Sequence, residues 1–90
     1  MSDTSSLYED NDGKLRIYVI LPEGQVLIAE FPSSRESEAE NTYNTLAFDK
    51  SSTLRDKSLV LKKVFFVTTN QWAGLVEIVL LKHNVPHYFF

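Results

Sequence analysis

Residues 59–83 read LVLKKVFFVTTNQWAGLVEIVLLKH, and the folding of the second half of that stretch decides the architecture. Thr69 to His83 admits two readings. In the first, Trp72, Leu75, Val76, Val79 and Leu80 stand at i, i+3, i+4, i+7 and i+8, one face of a helix. Thr69 or Asn70 would cap its start, and Lys82 and His83 suit its last turn. Asn84 fits a left-handed exit, and Pro86 follows where a helix has ended. In the second, Leu75–Leu81 is a strand paired with the preceding one, a reading supported by Val76, Ile78 and Val79. The helix punctuation at both ends favours the first, and the expected fold is built on it.

Upstream, Leu59–Thr68 reads as a strand centred on Val64-Phe65-Phe66-Val67. Successive apolar residues imply that both of its faces are covered, which makes it a central strand. Lys62 and Lys63 flank the run as gatekeepers against aggregation. Downstream, Val85–Phe90 (VPHYFF) reads as a short aromatic strand, with Phe89 in the core and Phe90 at the rim. Strand, helix and strand in succession then imply a right-handed crossover with parallel outer strands. The outline matches a thioredoxin-like unit only in the way any crossover does and names no family, and no thiol stands where a redox pair would be.

Towards the N-terminus, Lys14–Leu21 (KLRIYVIL) alternates Leu15, Ile17, Val19 and Leu21 against Arg16, Tyr18 and Ile20. That is the period of a half-buried strand. Pro22-Glu23-Gly24 is a turn signal, and Gln25–Phe31 reads as a second strand, so the two form a hairpin. Pro32 ends it. Ser33-Ser34-Arg35-Glu36 matches a capping box, and Ala39, Tyr43, Leu46 and Ala47 share one face of a first helix over 34–48. Asp49–Ser58 is a polar surface loop. The expected fold is a small two-layer α+β domain over 14–90, with an N-terminal hairpin followed by helix, strand, helix and strand. It carries one mixed sheet of about four strands.

Ninety residues make one domain. An apolar content of 43% and a charged content of 23% place it among globular chains. Residues 1–13 hold Asp3, Glu9, Asp10 and Asp12 with no base, and read as a flexible acidic arm. The absence of cysteine removes disulfides, thiol nucleophiles and thiolate metal sites. The three glycines form no phosphate-cradling loop, so no cofactor is expected. No apolar run approaches 18 residues, and no basic start precedes an apolar stretch, so the expected location is cytoplasmic, without a membrane.

Charge falls in blocks. Residues 23–49 carry six acids against Arg35, whereas residues 50–63 carry Lys50, Arg55, Lys57, Lys62 and Lys63 against Asp56. Such blocks suggest complementarity between surfaces. Read as a helix, 70–83 is apolar nearly all round, since Ile78 and Leu81 lie opposite its main stripe, beside Ala73 and Gly74. A second copy would cover that side. The expected function is a non-catalytic regulator or inhibitor that binds another protein and forms a homodimer. Its contact residues are Gly74, Glu77, Ile78 and Leu81, with Glu36 and Glu40 on the acidic helix and Phe90 at the rim. Two other classes compete. One is a nucleic-acid accessory protein using the basic 50–63 segment, against which a pI near 5.2 argues. The other is a small enzyme or ligand-binding domain using His83, His87 and Glu77, although Pro86 prevents the two imidazoles from sharing a helical face.

Overall fold

The computed structural model describes residues 13–85. β1 (Lys14–Leu21) and β2 (Gly24–Pro32) form the hairpin expected from the alternation. Gly24, at φ 143°, supplies the backbone angle that the two-residue turn requires. A single 3₁₀ turn (Ser33–Arg35) leads into α1 (Glu36–Phe48). The capping box read in Ser33–Glu36 is not made, because the chain enters through the 3₁₀ turn and no side chain bonds the helix start. β3 (Ser58–Thr68) and β4 (Ala73–His83) complete an antiparallel sheet in the order β2-β1-β3-β4.

Two expectations fail here. Residues 73–83 are a strand, so the second helix, the parallel crossover and the mixed sheet are all replaced by a β3–β4 hairpin. The domain remains α+β, with one helix on a wholly antiparallel sheet. The physical reason lies in Leu75, Val76, Val79 and Leu80. Along the strand, Leu75 and Val79 face one side and Val76 and Leu80 the other. A strand apolar on both faces therefore reproduces i, i+1, i+4 and i+5, the same spacing that an amphipathic helix shows. The final strand expected over 85–90 falls, from Pro86 onward, outside the described residues, as do residues 1–12 of the arm.

α1 lays Ala39, Tyr43 and Ala47 on the sheet, where they bury Leu15, Ile17 and Val19 of β1 and Leu59 and Leu61 of β3. The two alanines let the helix approach closely, and the Tyr43 hydroxyl donates to the Leu59 carbonyl at 3.4 Å. Burial of that hydroxyl raises its pKa. β3 is the central strand anticipated from its apolar run, and Val60 and Val64 are buried on the face away from the helix.

Each edge strand carries a bulge at the same level. In β2, Ile28 is the additional residue beside Ala29, opposite Ile17. In β4, Leu80 is the additional residue beside Leu81, opposite Leu61. All four pack against the core beneath the helix. A bulge puts two residues of one strand on the same face opposite one of its neighbour. The phase of each edge strand therefore reverses there.

The loop from 49 to 57 turns tightly. Asp49 accepts the Ser51 hydroxyl at 2.6 Å and the Ser51 backbone N–H at 2.8 Å. These bonds hold its carboxyl below the ordinary carboxylate range. A depressed folded-state pKa gives stability that is present above the unfolded value and lost as pH falls through the folded one. Ser51→Ala should raise the Asp49 pKa towards its ordinary value in an NMR titration, and an unchanged value would contradict the bond. In urea melts, Leu61→Ala should cost about 2–5 kcal/mol as a cavity-forming change. Leu75→Ala, at an exposed site on the same hairpin, should stay within about 0.5 kcal/mol.

Candidate interaction surface on the β3–β4 hairpin

β1 pairs with β3 only as far as Val64. Beyond that point Phe65–Thr68 and Ala73–Val76 pair with each other alone among the described residues, and form a two-stranded arm. Its tip is closed by Thr69, whose hydroxyl accepts the backbone N–H groups of Gln71 and Trp72 at 3.2 and 3.0 Å. The Thr69 backbone N–H donates to the Trp72 carbonyl at 2.7 Å. The Trp72 indole folds back over Gly74, and a Cβ at that position would meet the ring at 3.0 Å. Gly74 is thus a seat for the indole.

The register sorts the side chains of β4 into two faces. On the helix side lie Gly74, Val76 and Ile78, followed after the bulge by Leu81 and His83. On the far side lie Leu75, Glu77 and Val79, followed by Lys82. Of the residues expected to make contacts, Gly74, Ile78 and Leu81 share a face, with Ile78 exposed and Leu81 half-buried at the edge of the core. Glu77 projects from the other face. Glu36 and Glu40 stand on α1, which packs over β1, β2 and β3, so they belong to a separate surface. Phe90 lies outside the described residues.

The far face also holds a polar network with no counterpart in the sequence reading. Arg16 Nε donates to Glu30 at 2.8 Å, and Arg16 Nη1 donates to the Tyr18 hydroxyl at 3.4 Å. The Tyr18 bond first, and then the Glu30 bond, raise the guanidinium pKa further. Lys62 crosses the Tyr18 ring at 5.4 Å and donates to Glu77 at 2.9 Å and Gln25 at 3.1 Å. The Lys62 side chain is only 12% exposed. It is a nearly buried tie between β1, β2, β3 and β4. Alternation alone places Arg16, Tyr18 and Glu30 away from the core, but the meeting of Lys62 with Gln25 and Glu77 depends on a strand order that sequence does not supply.

The competing constellations are dispersed. Glu77 and His83 face opposite sides of β4, and Glu77 is committed to Lys62. The His83 ring meets Phe48 edge-on, with centroids 4.9 Å apart, as a helix-to-strand contact. His87 lies outside the described residues. In the basic segment, Lys62 and Lys63 point to opposite faces of β3, while Lys50, Arg55 and Lys57 sit on the loop. A groove lined by Ile20, Leu21, Pro22, Asp56, Lys57, Ser58 and Val85 lies at the end of the sheet away from the arm.

Among the described residues, no helix is long and apolar enough to cross a membrane. The chain matches no protein-family model, no curated protein and no solved structure.

What β4 and the hairpin tip offer is exposed apolar surface. Leu75 is 64% exposed and Val79 52%, on the far face, and Trp72 is 51% exposed at the tip. Gly74→Ala should push the indole off its seat, seen as a red-shifted tryptophan emission with the melting temperature nearly unchanged. An unshifted spectrum would mean that the ring does not rest there.

Proposed function

We propose that the protein is non-catalytic and acts by binding another protein, as a small regulator or inhibitor, through the β3–β4 arm. The observation that supports this is the pair Leu75 and Val79, two large apolar side chains more than half exposed on one face of one strand. Exposed apolar residues grouped on one face are a feature of interaction surfaces, whereas scattered ones are not. Glu77 stands between them and is tied to Lys62, so the patch has a fixed polar divider. Aliphatic anchors beside an oriented charge suit a partner with an apolar patch and a basic or hydrogen-donating neighbour.

Glu36, exposed on α1, and Glu40, half-buried there, offer a second, acidic contact to the same kind of partner, and the shortage of basic residues across 23–49 fits that role. Cytoplasmic location belongs to the same reading.

Affinity capture with the tagged chain tests it. Wild type should retain one stoichiometric protein, and Leu75→Glu or Val79→Glu should weaken its retention by about tenfold or more. Retention of the same protein by both variants would contradict the reading. So would its loss on Lys50→Ala with Leu75→Glu unaffected, because binding would then run through the basic loop.

A further inference from the structure

The outer edge of β4 has no partner strand among the described residues, and its sequence supplies a register for one. We infer that β4 pairs antiparallel with β4 of a second copy, so that Glu77 of each chain faces Lys82 of the other. This deepens the protein-binding reading of the arm and rests on it.

The Leu80 bulge carries the argument. Residues opposite one another in an antiparallel pair must point to the same face of the sheet. On β4, residues up to Val79 follow one phase and those after the bulge follow the other. A two-fold pairing that joins the first half of β4 to the second half of its copy is face-matched only where a residue of odd number meets one of even number. Three neighbouring registers of this type exist. In one, Lys82 meets Leu75 and Glu77 meets Leu80. In another, Lys82 meets Val79 and Glu77 meets Asn84. Only the register between them sets Glu77 against Lys82, on the far face, and Ile78 against Leu81, on the helix face. Each contact occurs twice by symmetry. Val76 then meets His83 and Leu75 meets Asn84, so the positions on either side of the bulge, 75–78 against 81–84, find compatible neighbours, and only Val79 and Leu80 at the centre fall out of phase.

The charges available fit this placement. Lys82 is exposed and has no ion pair among the described residues. Glu77 gives Oε1 to Lys62 at 2.9 Å, which leaves its second oxygen for a lysine arriving from outside the sheet. In the two neighbouring registers both charges lie against apolar or uncharged residues, so the pair selects one alignment. The ladder is interrupted at the two adjacent bulges and forms two symmetric blocks. Ile78, 45% exposed in the single chain, becomes covered by Leu81 of the copy.

Charge reversal tests the pairing. In sedimentation equilibrium at micromolar concentration, wild type should run at twice the 10.3 kDa chain mass. Lys82→Glu should run as a monomer, because the introduced carboxylate would face Glu77 of the copy. Glu77→Lys should do the same by setting two ammonium groups against each other. A one-to-one mixture of the two variants should recover a dimer, since each unlike pair is then attractive. Glu77→Lys also disturbs Lys62, so cross-linking of wild type provides an independent measurement. A zero-length carbodiimide should join Glu77 to Lys82, which lie about 17 Å apart along one strand and cannot be joined within it. With mixed ¹⁴N and ¹⁵N chains, that product should carry both labels. A monomeric wild type, dimers that survive both reversals, or a mixture that stays monomeric would overturn the pairing. A monomeric wild type that still loses its captured partner on Leu75→Glu would leave the binding reading standing.

Discussion

Ile17 of β1 and Leu61 of β3 are paired directly beneath the helix, and both are fully buried. The row continues to Ile28 and Ala29 on one side and to Leu80 and Leu81 on the other. Two central strands therefore contribute one residue each, and the two edge strands contribute two each. A single 13-residue helix with two alanines on its buried face is a narrow cover for four strands. Doubling the apolar residues at both edges widens the layer beneath it. Full burial of Ile17 and Leu61 is worth roughly 1.5–3 kcal/mol each, and the partly buried Ile28, Leu80 and Leu81 add to it, so the row is a large share of what so small a domain can gather.

The same bulges determine what the protein shows to its surroundings. A bulge reverses the phase of its strand, so Leu80 and Leu81 can both face the core while Leu75, Glu77 and Val79 remain on the far side. Glu77 thereby reaches Lys62, whose amine already lies over Tyr18 and bonds Gln25. The network ties all four strands together on the face the helix does not cover. Beyond Val64 the hairpin leaves the sheet and loses this support, and Phe66, Trp72 and Leu75 are exposed there. Core packing and the proposed interaction surface are two consequences of one inserted leucine.

Much of the fold is legible in the sequence, and the part that is not has a definite cause. Lys14–Leu21 alternates cleanly because one side meets the helix and the other meets polar neighbours. Tyr43, Ala39 and Ala47 announce the helix face for the same reason. Residues 73–83 mislead because both faces are apolar and the Leu80-Leu81 doublet breaks the period of two. Asn84 and the flanking Thr69 and Asn70 look like caps, yet Thr69 in fact closes the hairpin tip by accepting N–H groups from Gln71 and Trp72. Gly74, Ile78 and Leu81 are still found together on one face, because positions 74 and 78 share a side in a strand and the bulge carries 81 back to it. Glu77 parts from them since it stands one residue out of phase. Lys62, read as a gatekeeper, is instead a nearly buried tie, for burial of a lysine depends on partners that only the strand order brings near.

Cross-strand proton contacts by NMR test the central claim, that residues 73–83 are an edge strand bulged at Leu80. The account predicts interstrand contacts between Lys62 and Val79 and between Leu61 and Leu81, with Leu80 passed over in the register. It also predicts an unbroken strand pattern from Ala73 to Val79. Contacts between residues three and four apart along 72–82, without contacts to β3, would identify a helix and contradict the account. A regular ladder that pairs Leu61 with Leu80 would remove the bulge, and with it the placement of Glu77.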